Sequence, residues 1–163
     1  MPKFDSEAEL ESFLLENRDR FLEKEYKGYT WANQVELGRY GRADIVGYKK
    51  LKNKVKIVVV ELKKGEISES TLIQACRYAK GIDRVNKEDL ELDISVAIMG
   101  SCVSTSDWVY LLDVFNGVKA FEYDIDPDCG FIYYERSGYF IVDEGDMPEK
   151  LIHMFIGGCN NGE

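Results

Sequence analysis

Two stretches of the sequence decide the fold: GRADIVGY at residues 41–48 and VVVELKKG at residues 58–65. The second stretch extends a run of four apolar residues, Ile57 to Val60, a pattern typical of a strand that is buried on both faces. We therefore predict a central strand over residues 55–62. The turn residues at 38–41 precede a second predicted strand at 42–48, which a lysine-rich hairpin joins to the central strand.

The other elements are placed by apolar periodicity and by turn residues. The predicted elements are a helix at 5–25, a strand at 31–37, a helix that starts at Ser68 or Ser70 and stops at Gly81, a strand at 94–99, a short helix at 107–115, strands at 118–123 and 131–142, and a short helix at 148–155. This order predicts a single α/β domain over 1–163 with a central mixed sheet flanked by helices. Its αβββαβ core spans about 5–103, and a C-terminal β-rich elaboration spans about 104–157.

Composition and charge limit the classes of function. The chain of 163 residues is 45% hydrophobic and 31% charged, as globular proteins are. It has no apolar run of the roughly 20 residues needed to cross a bilayer, and its acidic start is unlike a signal peptide. We therefore expect no membrane contact and a cytoplasmic location.

The net charge of −9 is unevenly distributed. Residues 1–90 carry +2 and residues 91–163 carry −11. Any contact with phosphates should therefore come from the first half. The acidic second half is either solvated surface or a face for a protein partner.

The cysteines and the histidine give no recognisable site. Cys76, Cys102, Cys129 and Cys159 form no CxxC pair, which argues against zinc and iron–sulfur sites. His153 makes no credible catalytic pair with one of them. We expect free thiols, several of them in the core.

Charged residues follow the central strand directly. Because side chains alternate along a strand, Glu61 and Lys63 project to the same face, and Asp44 on the preceding strand can stand beside Glu61. Buried charges are costly unless they are paired or bound to metal. The alternative interpretation is a surface cluster of ion pairs at the strand ends.

Two adjacent carboxylates that share no proton need a cation. Oxygen ligands suit Mg²⁺ or Mn²⁺, which can activate water and neutralise charge on a phosphate. Lys63 can orient the attacking water and stabilise a pentacoordinate phosphate.

At this point the residues resemble a family. Asp followed by Glu-X-Lys on two adjacent strands resembles the PD-(D/E)XK nuclease superfamily, which has the restriction-endonuclease-like fold, although Ala43 stands where the name has Pro. The resemblance is strongest to RecB-like and NucS-type endonucleases and covers about residues 5–100. The matching positions are Gly41, Arg42 and Asp44, then Glu61 and Lys63, then Gln74 and Tyr78, with an acid on the first helix.

The resemblance implies roles for these residues. Asp44 and Glu61 would bind metal with the backbone carbonyl of Leu62, and Glu7 would complete the shell through water, with Glu11 as the alternative. Gln74 would position Lys63 or the scissile phosphate, and Tyr78 would support Gln74; both are otherwise ordinary helix surface and packing. Candidate DNA contacts are Arg42, Arg77 and the hairpin lysines, which are otherwise a solvated tip: Lys49, Lys50, Lys52, Lys54 and Lys56.

The sequence thus predicts a Mg²⁺- or Mn²⁺-dependent (endo)deoxyribonuclease, a hydrolase of phosphodiester bonds, and folds of this kind often act as homodimers. One alternative is a catalytically silent module of nuclease fold that binds nucleic acid, or a partner through its acidic half. Another is an acidic inhibitor that imitates DNA, against which the lysine-rich first half counts.

Overall fold

The structure, a computed structural model, describes residues 4–86, 88, 90–103, 112 and 117–136. A six-stranded mixed sheet in the order β1-β2-β3-β5-β7-β8 forms its centre. The elements are α1 (Glu7–Glu16), a 3-10 turn (Arg18–Arg20), α2 (Leu22–Glu25), β1 (Thr30–Glu36), a 3-10 turn (Gly38–Tyr40), β2 (Arg42–Lys50), β3 (Val55–Leu62), β4 (Glu66–Ile67), α3 (Glu69–Val85), β5 (Leu92–Gly100), β6 (Cys102–Val103), β7 (Val118–Asp126) and β8 (Gly130–Glu135).

The strand β3 lies at the centre of the sheet, as its apolar run predicts. It pairs antiparallel with β2 and parallel with β5, and residues 57–62 are buried. The helix α3 connects β3 to β5, which lets two parallel strands lie side by side. Because β3 and β5 are parallel, their first residues lie at one edge of the sheet and their last residues lie together at the opposite edge.

Each face of the sheet carries its own hydrophobic core. One core lies between the sheet and α3, and the other lies between the sheet and the α1–α2 segment. Even-numbered residues of β3 from 58 to 62 belong to the second core, and Ile57 and Val59 belong to the first. Alternation along β3 therefore directs Glu61 away from the α1 core.

The N-terminal helix is shorter than the predicted helix at 5–25. Ser6 caps α1 by accepting a hydrogen bond from the Glu9 amide, and the helix ends at Glu16. Asn17 leaves the helical conformation and its side chain donates to the Phe13 carbonyl, 2.9 Å away. This break turns the chain so that Phe21 and Leu22 are fully buried, which a straight helix does not achieve.

The prediction that Gly81 ends the second long helix is wrong. Ser68 caps α3, which continues through Gly81 to Val85. A Cβ atom at position 81 would lie 2.8 Å from the Cβ of Tyr40, so glycine is present here because the turn before β2 packs against the helix. A glycine that close packing requires has the same appearance in the sequence as a glycine that ends a helix, so only the tertiary structure distinguishes the two.

The strands β7 and β8 extend the main sheet, β7 pairing parallel with β5. The predicted strand at 118–123 is longer in the structure, at Val118–Asp126, whereas the predicted strand at 131–142 corresponds to the shorter Gly130–Glu135. The predicted helix at 148–155, residues 137–142 and, except for Leu112, the predicted helix at 107–115 lie outside the described residues.

Two further expectations concern membranes and thiols. None of the helices in the described ranges has the length and apolar character that crossing a bilayer requires. Cys76, Cys102 and Cys129 are free but exposed, so the expectation that several cysteines lie in the core is wrong for these three. Cys159 lies outside the described residues.

We predict that Gly81→Ala destabilises the fold. Replacing a glycine inside a helix by alanine usually stabilises it by about 1 kcal/mol, but the contact with Tyr40 should reverse the sign and cost about 1–3 kcal/mol. Urea unfolding measures the difference. In a Tyr40→Gly background the same substitution should become stabilising, and a destabilisation of equal size in both backgrounds would contradict the proposed contact.

Candidate active site

Asp44 lies where the pairing of β2 with β3 ends. The last pair of the ladder is Ile45 with Val60, and the next step of the register puts Asp44 opposite Glu61. The Oδ2 atom of Asp44 accepts a hydrogen bond of 2.9 Å from the backbone N–H of Leu62. Asp44 thus occupies the position beside Glu61 that the sequence predicts, and it satisfies a backbone donor where the strands separate.

Glu61 is a buried carboxylate with one unsatisfied oxygen. Its side chain is 3% exposed, and its Oε1 atom lies 3.5 Å from the Lys63 Nζ. Among the described residues, no hydrogen-bond donor reaches the buried Oε2 atom. Burial and, to a smaller extent, the negative charge of Asp44 raise the pKa of Glu61 to about 8, although Lys63 opposes both.

The pKa of Asp44 is raised as well. Burial is the largest cause, the hydrogen bond from Leu62 opposes it, and the negative charge of Glu11 adds to it. Two neighbouring carboxyl groups that both resist ionisation form a site in which a bound cation relieves the repulsion.

Lys63 is placed between acids of two elements. Its Nζ atom lies 3.5 Å from Glu61 and 3.8 Å from Oε1 of Glu7 on α1. Its backbone N–H donates to the Met99 carbonyl at 2.8 Å, which continues the β3–β5 pairing. The neighbouring Lys64 lies apart from the carboxylates, since its Nζ atom donates to the Asp5 carbonyl.

Both acids considered on the first helix face the site, with different surroundings. Glu7 has a side chain that is 47% exposed and meets Lys63. Glu11, one turn later, is only 7% exposed and accepts hydrogen bonds from the side-chain amides of Asn33 and Gln34. The choice of Glu7 over Glu11 as the water-mediated ligand stays a prediction.

Gln74 and Tyr78 form a pair on α3. The Gln74 amide donates to the Tyr78 hydroxyl, as expected for residues four apart on one helix face. Tyr78 is buried, and its ring leaves no room for a Cβ atom at Gly41, whose φ of 103° also favours glycine. The pair therefore supports the turn that leads into β2 and Asp44.

The candidate DNA contacts divide between the two ends of the sheet. Arg42 lies at the start of β2, near the carboxylates, and pairs with Glu36 on the surface at 3.7 Å. Arg77 is exposed on α3. The hairpin lysines lie at the far end of β3, about 20 Å from Glu61 by the rise of six strand residues. Among them, Lys49 donates to the Lys27 carbonyl and Lys54 pairs with Asp93.

The donor set fits a small divalent cation that keeps several waters. No three His, Cys, Asp or Glu side chains within the described ranges converge closely enough to hold an ion by themselves. The unsatisfied Oε2 atom of Glu61 and the carboxylate of Asp44 are hard oxygen donors, as Mg²⁺ and Mn²⁺ prefer. With the Leu62 carbonyl that the motif resemblance adds, two carboxylates, a carbonyl and water would form a suitable shell.

Comparison with solved structures identifies the fold. A repair endonuclease from Pyrococcus abyssi superposes with a TM-score of 0.52 at 21% identity, over 72% of this chain and 46% of that one. The chain has the PD-(D/E)XK nuclease-like fold. A complex of EndoMS with double-stranded DNA is similar with a TM-score of 0.47 at 19% identity, over 62% of this chain and 38% of that one.

The nuclease-like fold is shared without close sequence relatives. No family model and no curated protein matches the chain. The chain spans less than half the length of either similar structure. The roles of the site residues thus rest on this chain's own geometry and on the motif resemblance.

Sequence reasoning missed Asn33 and Gln34. Both lie in the predicted strand at 31–37 without an assigned role, whereas their side chains reach Glu11 across 22 and 23 residues of chain. One signal is present in the sequence: Asn33 has the parity of Trp31, which is buried, so a regular strand would direct this polar side chain to the same face. The partner of such a residue is set by the tertiary structure alone.

We predict that Glu61→Gln stabilises the metal-free protein at alkaline pH. The folded protein holds a proton on Glu61 up to a pH of about 8, while the unfolded chain releases it near its ordinary pKa of 4.5. The free energy of unfolding should therefore fall as the pH rises from about 5 to 8. The substitution should remove this loss of stability, which is on the order of 4 kcal/mol at pH 8 and small at pH 5, as thermal unfolding in EDTA measures.

Addition of Mn²⁺ at pH 8 should make the parent chain melt at a higher temperature than Glu61→Gln. A cation that is bound only by the folded state raises the melting temperature of the parent chain. Glu61→Gln should gain little from Mn²⁺. Glu91→Gln, which replaces an exposed acid directly before β5, serves as the matched control. Equal melting temperatures of Glu61→Gln and Glu91→Gln at pH 8 would show that the buried carboxylate carries no such cost.

Proposed function

We propose that this protein is a metal-dependent nuclease that hydrolyses phosphodiester bonds in DNA. The observation that carries the proposal is the buried, unsatisfied oxygen of Glu61, held beside Asp44 and an ammonium group at the end of the central strand. Retaining such a cluster costs stability, and a binding module has no use for it. The nuclease-like fold supports the same conclusion.

Asp44, Glu61 and the Leu62 carbonyl would hold Mg²⁺ or Mn²⁺, with an acid of α1 reaching the ion through water. When bound, the ion lowers the pKa of water and neutralises negative charge on the phosphate.

Lys63 performs the remaining chemistry. Its ammonium group, held by Glu61 and Glu7, can donate a hydrogen bond to the attacking water and to a nonbridging phosphate oxygen. The water oxygen forms a new bond to phosphorus and gives up one proton to solvent, while the bond to the leaving sugar oxygen breaks and that oxygen takes up a proton from solvent. The Gln74–Tyr78 pair positions the β2 turn or the phosphate.

DNA is proposed as the substrate because the first half of the chain carries the positive charge and the motif resembles DNA nucleases. A cytoplasmic location and a homodimer remain predictions. The alternative, a silent module that binds a partner through its acidic half, gives DNA or protein binding without cleavage, and the same experiment separates the two.

We predict that Lys63→Met lowers the rate of DNA cleavage by about 100-fold or more, because the group that stabilises the growing charge on phosphate is lost. Lys64→Met is the matched control, since the side chain of this neighbour donates to the Asp5 carbonyl and lies apart from the carboxylates. Cleavage of labelled single-stranded, branched and duplex DNA is measured with Mg²⁺, Mn²⁺ or EDTA.

The control should cleave at nearly the parent rate, and EDTA should abolish cleavage by both proteins. Equal activity of Lys63→Met and Lys64→Met would assign any observed cleavage to a contaminant or to another site. Tight DNA binding with no cleavage by the parent chain under any of these conditions would favour the silent module.

We predict that the hairpin lysines matter only for long substrates. A distance of about 20 Å corresponds to about six base pairs at about 3.4 Å each. The exposed Lys50 and Lys52 should therefore contact phosphates about six pairs from the cleaved bond. The double variant Lys50→Ala/Lys52→Ala should bind long duplexes more weakly, with the slope of log K against log salt reduced by about two.

Its affinity for duplexes that end about three pairs from the cleaved bond should equal that of the parent chain. The double variant Lys80→Ala/Lys119→Ala removes the same charge from exposed positions outside the hairpin. An equal loss of affinity in both double variants would mean that the hairpin acts only through net charge.

A further inference from the structure

Glu11 is held by two consecutive residues of β1. The side-chain amide of Asn33 donates to its Oε1 atom at 2.9 Å, and the side-chain amide of Gln34 donates to its Oε2 atom. Both oxygens of a carboxylate that is 7% exposed are therefore satisfied by neutral donors. Neutral donors stabilise the negative charge of a carboxylate and leave it in place, whereas a lysine or arginine partner cancels it.

This double contact requires an irregular strand. In a regular strand successive side chains point to opposite faces, so residues 33 and 34 cannot both reach the same helix. Gln34 has a φ of 49°, the one non-glycine residue with positive φ in the described part of the chain. Before it, Trp31 belongs to the α1 core, and after it Val35 packs against the α3 core, although both have odd numbers.

The irregularity lies opposite Asp44. The register pairs Asn33 with Ile45 and Val35 with Ala43, so position 34 faces position 44. Glu11 is close enough to Asp44 for its charge to contribute to the raised pKa of that carboxyl. The strained residue, the buried helix acid and the first carboxylate of the site thus lie together. Backbone strain of this kind persists where the surroundings enforce it, and it is concentrated at functional sites.

We propose that Asn33 and Gln34 are positioning residues that hold the Glu11 carboxylate toward Asp44, so that Glu11 is the α1 acid of the cation shell. This inference rests on the proposed metal-dependent function and assigns different roles to the two acids of α1. Glu11, held from both sides, faces the cation, whereas the exposed Glu7 pairs with Lys63. Outer hydrogen-bond partners of this kind fix the orientation of a ligand and raise its basicity.

The test uses Gln34→Gly, for which the two roles predict different results. Glycine adopts positive φ freely, so a purely structural turn residue becomes no worse when it is replaced by glycine. We expect Gln34→Gly to keep or raise the melting temperature of the metal-free protein. We expect the same variant to weaken Mn²⁺ binding about tenfold or more, because one donor to Glu11 is lost.

Mn²⁺ binding to the full chain without DNA is measured from the electron paramagnetic resonance signal of the free ion. Asn33→Ala should weaken binding in the same way, and it tests the second donor without changing the strained residue. Ala32→Gly, at an exposed position of the same strand, controls for the backbone freedom that glycine adds and should leave Mn²⁺ affinity unchanged.

A double-mutant cycle identifies the residue through which the donors act. In a Glu11→Ala background, Gln34→Gly should cause no further loss of Mn²⁺ affinity; in a Glu7→Ala background it should cause its full loss. The inference is overturned if Gln34→Gly and Asn33→Ala bind Mn²⁺ as Ala32→Gly does. It is also overturned if Glu7→Ala weakens binding while Glu11→Ala does not.

Failure of the inference and failure of the proposed function give different results. A parent chain that binds Mn²⁺ and cleaves DNA, with unchanged affinity in the Asn33 and Gln34 variants, removes only the positioning role. A parent chain that binds no Mn²⁺ and cleaves no DNA removes the proposed function, and the positioning role with it.

Discussion

The structure depends on one constraint: a carboxylate is held at the end of the most buried strand without enough hydrogen bonds to satisfy it. Glu61 is 2% exposed, its Oε2 atom is buried without a donor among the described residues, and its pKa is strongly raised. Such an arrangement opposes folding unless a cation occupies it. The strands β2 and β3 separate beside it, at Asp44. The carboxylate of Asp44 accepts the hydrogen bond of the Leu62 N–H, which the strand pairing leaves without a partner.

The two faces of the sheet contribute different parts of the site. The α1 face supplies acids, Glu7 and Glu11, and the polar pair on β1 that holds Glu11. The α3 face supplies Tyr78, which packs against the turn at Gly41, and Gln74, which donates to the Tyr78 hydroxyl. The carboxylates lie where β2 and β3 separate, so acids of α1 approach them from one face while Tyr78 supports the start of β2 from the other.

Charge is distributed so that the site end of the sheet is acidic and the hairpin end is basic. The acids of α1, β2 and β3 meet at one edge, whereas the lysines of the β2–β3 turn lie about six residues of strand away. A long anion such as a duplex can be attracted by the lysines and neutralised at the site by the cation, without direct repulsion by the carboxylates. Under the proposed function, this separation leaves the lysines available for binding DNA but too far from the carboxylates to take part in cleavage.

The sequence alone determined the elements whose causes are local. The apolar run at 57–60 set the central strand, and the charged residues after it identified Glu61 and Lys63, with Asp44 on the preceding strand. The order of helices and strands predicted the nuclease-like fold, which the comparison of structures confirms. Only the tertiary structure decided the features whose causes are distant in the chain. It showed that α1 ends at Glu16, that Gly81 is packed against Tyr40 within a helix, that Glu11 is buried against Asn33 and Gln34, and that the hairpin lysines lie far from the carboxylates. The physical reason is that propensity and periodicity act over a few residues, whereas close backbone packing, burial of a charge and a strained φ are set by partners that the sequence does not name.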